Sequence, residues 1–158
     1  MTETTAIMIC GQTNPADTYQ TEFDALARAI GERLSGFNLS SGFLGSPEQS
    51  VRSGVETLVE QGAARVICVP GMLPTTNLDK NDIAAEIEKI SVGHPAVSFA
   101  YSRDLAIDGK MLAVARDCIE ACEAEALVKT KREETLLMVV GAGSTDAEPN
   151  ANVAKVAR

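Results

Sequence analysis

The sequence predicts an α/β protein: a three-layer arrangement in which a mainly parallel sheet is covered by helices on both faces. Two observations carry this reading. Short apolar, strand-like runs alternate with stretches of helical periodicity along the chain. Each helical stretch places its apolar residues on one face, as a helix laid across a sheet must. Such sheets bind ligands at the carboxyl ends of their strands.

The elements follow in order. The first strand is Ala6 to Cys10, and a polar turn runs from Gly11 to Asp17. Phe23, Leu26, Ala27, Ile30 and Leu34 then recur at helical spacing. A shorter strand lies near Leu39 to Leu44, after which Ser46-Pro47 opens a helix with Pro at its first position and Val51, Val55, Leu58 and Val59 as its buried stripe. Arg65 to Val69 is the third strand. Asp79 or a neighbour starts the next helix, with Ile83, Ile87 and Ile90 inward. Gly93-His94-Pro95 closes that unit, Val97 to Tyr101 is the fourth strand, and Met111, Leu112, Ala115, Cys118, Ile119 and Cys122 line a further helix.

Near residue 128 the composition shifts to Lys-Thr-Lys-Arg-Glu-Glu, which reads as a linker. Residues 1–128 are therefore expected to form one α/β domain, and 129–158 a linker followed by the first strand and helix of a truncated second repeat. Setting Gly141 on Gly11 aligns the apolar runs before them, and Val153, Val156 and Ala157 then fall on Phe23, Leu26 and Ala27. Chance agreement between two βα units is the competing reading. A lone strand and a short helix bury little, so this tail docks on the first domain, pairs with another chain or stays mobile. It is a candidate dimer contact, or the beginning of a second half in a longer protein.

Composition limits the function. A chain of 158 residues suits one ordinary domain. Apolar residues make up 45% and charged ones 23%, and no segment reaches the roughly 18 to 20 consecutive apolar residues of a membrane span. MTETTAIMIC has no basic region before its apolar run, so it reads as a strand and not a signal peptide, and a cytoplasmic protein is expected. The formal net charge of −8 argues against non-specific nucleic-acid binding. A polyanionic substrate needs a local exception to that field. Cys10, Cys68, Cys118 and Cys122 are expected to be reduced. Cys118 and Cys122 share a helix face, either as small core residues or as a metal clip.

AIMICG with its polar turn, the segment SGFLGSPEQSVRSGVETLVEQGAARVICVPGML, and the loop-to-helix NLDKNDI together resemble the CbiX-type sirohydrochlorin cobalt chelatases of cobalamin biosynthesis. The tail VVGAGSTDAEPNANVAKVAR is similar to the opening of the second half in the long members. The resemblance implies a chelatase fold and a lyase activity in which divalent cobalt, nickel or iron enters a tetrapyrrole bearing eight carboxylates. No intrinsic cofactor is implied; the metal is a substrate.

The family's ligands are a His after the first strand, a Glu after the second and a His after the third. Here those positions fall on Gln12, Gly45 and Leu78, so no ligand set is intact. A neutral amide, a missing side chain and an alkyl group do not replace imidazole. Ala142 likewise stands where the repeat usually carries Arg. Metal insertion is expected to be weak or absent. Gln12, Asp79 and Asp82 are the groups left to assist it, with Asp17 nearby in sequence; oxygen ligands of this kind suit magnesium or calcium better than cobalt. Asp79 has a competing role as a helix cap. Gly11, Thr13, Asn14, Met72, Thr75, Lys80 and Asn81 are the candidate substrate-binding positions. Lys80 either meets a substrate carboxylate or stays solvated, and Pro15 and Pro74 stiffen the loops. His94 is expected in an exposed turn at the opposite end of the sheet. A non-catalytic tetrapyrrole-binding or subunit-interaction module, and a fragment or engineered variant of a longer chelatase, are the alternatives. The partners implied are a sirohydrochlorin-like tetrapyrrole and, through 129–158, a second copy or a second chelatase half.

Overall fold

The computed structural model describes residues 4–13, 18–71, 77–103, 105, 107–140, 145 and 147–157. The chain divides into two compact units, Met1–Asp104 and Leu105–Arg158.

Among its described residues the first unit holds four strands, β1 (Thr5–Gln12), β2 (Asn38–Leu44), β3 (Arg65–Pro70) and β4 (Ser98–Tyr101), in the spatial order β2-β1-β3-β4. Every pairing is parallel. The connections carry α1 (Tyr19–Arg33), α2 (Val51–Glu60) and α3 (Asn77–Gly93). Side chains alternate across a strand, so β1 sends Ala6, Met8 and Cys10 to one face and Ile7 and Ile9 to the other. Ala6, Met8 and Cys10 join Val51, Val55 and Leu58 of α2 and Ile83, Ile87 and Ile90 of α3 in the main core. On the opposite face Ile9 and Phe43 pack with Phe23 and Ala27 of α1. Helices thus cover both faces, as the alternation predicts.

Local differences from the sequence reading have physical causes. Leu26 is 46% exposed, because Phe23 and Ala27 take the inward positions of α1. The second helix begins at Val51 and not at Pro47. Ser50 is its cap, with the hydroxyl accepting from the Ser53 amide at 3.0 Å. The segment before it turns back on β2: the Phe43 amide donates to the Gln49 carbonyl at 2.8 Å, and Phe43 and Ser50 form a parallel bridge. That segment shields the carboxyl end of an edge strand, where unpaired backbone groups otherwise invite foreign pairing. Gln49 secures it, since its side-chain amide donates to Asp24 Oδ1 at 3.0 Å and its Oε1 accepts from Gln20 at 2.7 Å, both partners on α1. β1 extends through Gly11 and Gln12, which the sequence places in the turn.

The second unit holds α4 (Gly109–Glu125), a 3₁₀ turn at Arg132–Glu134 and α5 (Ala147–Val156). Asp108 caps α4, accepting from the Lys110 amide at 2.9 Å. No residue of α4 is buried, so the expected inward stripe from Met111 to Cys122 is not a core stripe. Cys118 and Cys122 are exposed and free, against the small-core reading, whereas Cys10 and Cys68 are buried. The charged stretch after α4 is strapped to the helix end. Lys129 Nζ donates to the carbonyls of Glu123 (3.0 Å) and Ala124 (2.6 Å), meeting two of the unpaired carbonyls of a helix C-terminus. Arg132 grips both oxygens of Glu123, Nε to Oε1 at 3.0 Å and Nη2 to Oε2 at 2.6 Å. Residues 135–140 form no strand or helix; Leu136, Met138 and Val140 are 85%, 72% and 82% exposed.

Candidate functional site

The carboxyl ends of β1, β2 and β3 lie side by side. Gln12 pairs in register with Leu44, which puts Gly45 immediately beyond it on the neighbouring strand. A Cβ built on Gly45 would stand 3.8 Å from Thr13 Oγ1, so the turns leaving β1 and β2 meet. The Gly71 amide donates to the Cys10 carbonyl at 2.9 Å, joining the β3 exit to β1. These are the three exits at which the sequence places its candidate residues, and Gln12, Thr13 and Gly45 are all exposed there.

The floor under this edge is aromatic. Phe23 and Phe43 lie with ring centroids 4.7 Å apart, and Tyr19 stands 6.1 and 6.0 Å from them. Tilted rings at such distances attract one another beyond their area burial. A Cβ on Gly11 would come within 2.8 Å of Phe43 and 2.9 Å of Phe23, and one on Gly71 within 2.8 Å of Ile9. Both glycines are therefore set by close packing, and neither has a left-handed φ. Gly45 is different: its φ of +79° is a conformation that L side chains rarely adopt. Burial pushes the Tyr19 phenol above its ordinary value. Beneath the sheet the adjacent Cys68 thiol, and then burial, push the Cys10 thiol well up, so it is protonated at neutral pH.

The remaining candidates are placed as follows. Asn81 and Asp82 lie exposed in the first part of α3. That helix starts at Asn77, so Asp79 is its third residue and not its cap. The side chains of Leu78, Asp79 and Lys80 lie outside the described ones, and Asn14, Pro15, Asp17, Met72, Pro74, Thr75, Gly141 and Ala142 lie outside the described residues. His94 sits half-buried in the turn between α3 and β4, at the amino edge, where its carbonyl accepts from the Val97 amide at 3.0 Å. Among the described residues no group of three or more His, Cys, Asp and Glu side chains could hold a metal ion. Sequence reasoning missed Arg52 and Glu86, whose ion pair at 3.1 Å borders an opening beside Gly45. They are 34 residues apart in the chain, and only the packing of α2 beside α3 brings them together.

The fold is similar to that of SirB from Bacillus subtilis with Fe3+, with TM-score 0.79 over 97% of this chain and 58% of that one at 23% identity. It is also similar to the sirohydrochlorin chelatase SirB from Bacillus subtilis subspecies spizizenii in complex with cobalt, with TM-score 0.69 over 75% and 51% of the two chains at 24% identity. The family model CbiX matches residues 6–122, and the chain belongs to that family. In sequence it is 28% identical over 116 residues to a sirohydrochlorin cobaltochelatase of Priestia megaterium, covering 73% of this chain and 37% of that protein. It is equally identical, over 73% of this chain and 42% of the relative, to a sirohydrochlorin ferrochelatase of the same organism. The chain thus spans about two-fifths of the length of these curated relatives.

Proposed function

We propose that this chain binds a sirohydrochlorin-like tetrapyrrole at the carboxyl edge of its sheet and that its insertion of cobalt, nickel or iron, a lyase activity in cobalamin or related tetrapyrrole biosynthesis, is weak or absent. The observation that carries the reading is the conjunction of the CbiX scaffold with the side chains at its edge: Gln12 and Gly45 stand side by side and offer one neutral amide between them. Cobalt and iron insertion both fit, since relatives of equal identity bear either name.

Metal insertion needs a donor to hand over the ion and a base to take two pyrrole protons. Gln12 supplies a weak oxygen donor; Asp79 and Asp82 are the carboxylates within reach of a base role in sequence. Gly11, Thr13, Asn14, Met72, Thr75, Lys80 and Asn81 would line the ring. The exposed apolar run at 135–140 favours a partner for the tail, either a second copy or a second chelatase half contacting 129–158. No helix among the described residues is long and apolar enough to cross a membrane, which suits a cytoplasmic place of action.

The experiment is a cobalt titration by calorimetry and a metal-insertion assay with sirohydrochlorin, comparing the chain as it stands with a Gln12→His, Gly45→Glu, Leu78→His triple variant. The expected result is micromolar cobalt binding and insertion in the triple variant alone. Insertion by the unsubstituted chain at the rate of the variant would overturn the weak-insertion reading.

A further inference from the structure

We infer that Arg52 is a specificity residue for this chain, receiving a carboxylate-bearing arm of the macrocycle; the inference rests on the tetrapyrrole-binding reading above. The opening it borders has a volume of about 350 Å³ and is lined by Leu44, Gly45, Pro47, Val51 and Glu86 as well as Arg52. That is the low end of small-ligand cavities and gives room for a carboxyalkyl arm rather than a whole ring. Its position matters as much as its size. Leu44 is the register partner of Gln12, and Gly45 is the turn residue that meets Thr13, so the opening adjoins the edge where the ring would sit.

Charge points the same way. A chain with net charge −8 repels an octacarboxylate, and binding requires cations at the points of contact. Among the described residues that line this opening, Arg52 is the only cation. Its side chain is 47% exposed, and its guanidinium gives one N–H to Glu86 at 3.1 Å. A guanidinium has five N–H donors in a planar fork suited to a carboxylate, so the pairing leaves capacity for a ligand. Glu86 also meets Lys89 Nζ at 3.6 Å. The three side chains together carry one net positive charge, and Glu86 acts as a brake that holds Arg52 in place while weakening its pull on an anion.

The test titrates metal-free sirohydrochlorin into the full chain, followed by its absorbance, for the unsubstituted protein, Arg52→Gln, Arg52→Lys and Glu86→Gln, at low and moderate salt. Circular dichroism reports folding of each variant. Arg52→Gln is expected to weaken binding about tenfold, the cost of one charge-assisted carboxylate contact, and to flatten the salt dependence. Arg52→Lys should recover part of the loss, and Glu86→Gln should tighten binding by freeing the guanidinium. A purely structural ion pair would weaken binding in Arg52→Gln and Glu86→Gln alike, and that result overturns the inference, as does unchanged affinity in Arg52→Gln. If the unsubstituted chain binds no ring, the tetrapyrrole reading falls and this one falls with it; if it binds and the variants do not differ, only the Arg52 assignment falls.

Discussion

At Gly45 the backbone φ of +79° gives a physical meaning to a substitution that the sequence shows only as a missing carboxylate. An L residue there strains the turn by about 1–2 kcal/mol, although among the described residues the nearest side-chain atom is 3.8 Å from the Cβ position. Gly45→Ala should therefore lower the unfolding free energy by about 1 kcal/mol in a urea titration. A neutral result would mean that the turn readily relaxes to a right-handed form. The same strain acts on Gly45→Glu, so the glutamate must be introduced with its stability measured beside its activity. The cysteines give a second check at this scale. Cys10 and Cys68 are buried while Cys118 and Cys122 are exposed, so a thiol-alkylating reagent should modify the second pair in the native protein and reach the first pair only after denaturation. Mass spectrometry of the labelled peptides reads this directly. The family resemblance singled out Gln12 and Gly45, but the aromatic and aliphatic crowding that sets Gly11 and Gly71 was not foreseen. That crowding comes from residues distant in the chain, and no local pattern reports it.

Among the elements, α2 and α3 were the most legible, whereas α4 shows the same helical spacing and buries none of it. Ile83, Ile87 and Ile90 of α3 and Val51, Val55 and Leu58 of α2 are all buried as their spacing predicts. Helix starts were less so. Pro47 looked like a first helical residue, but the bridge from Phe43 to Ser50 holds the preceding segment against β2 and delays the helix to Val51. Ser50→Ala should cost about 1 kcal/mol through loss of the cap, and Leu58→Ala about 2–5 kcal/mol through the cavity left under α2. Both are read from denaturant midpoints, and a Leu58→Ala cost no larger than that of Ser50→Ala would contradict the core assignment. In the second unit the strap on α4 is electrostatic. The Arg132 guanidinium holds the Glu123 carboxyl below its ordinary value of 4.5. A folded-state value below the unfolded one means that the contact stabilises above the unfolded value and is lost as pH falls through the folded one. The pair is solvent-exposed, so salt weakens it and its effect stays local. A carboxyl titration of Glu123 by NMR should show a depressed midpoint that returns to the ordinary range in Arg132→Gln.

Across the whole molecule, alternation of runs and helices was enough to specify a parallel sheet covered on both faces, because each connection has one low-strain way to cross. Strand order was not legible, since the β2-β1-β3-β4 arrangement depends on contacts between segments far apart in the chain. The tail shows the limit most clearly. Residues 135–140 repeat the apolar character of β1, but β1 is flanked by partner strands on both sides and these residues have none among the described elements. A strand exists only through its neighbours, so apolar sequence alone did not make one. The measurement that bears most directly on what this chain does is a titration of the unsubstituted protein with metal-free sirohydrochlorin, followed first by absorbance and then, on adding cobalt, by the rate of insertion. Saturable binding of the ring with cobalt insertion no faster than in solution is the predicted result. Absence of ring binding, or rapid insertion by the chain with Gln12, Gly45 and Leu78 in place, would contradict it.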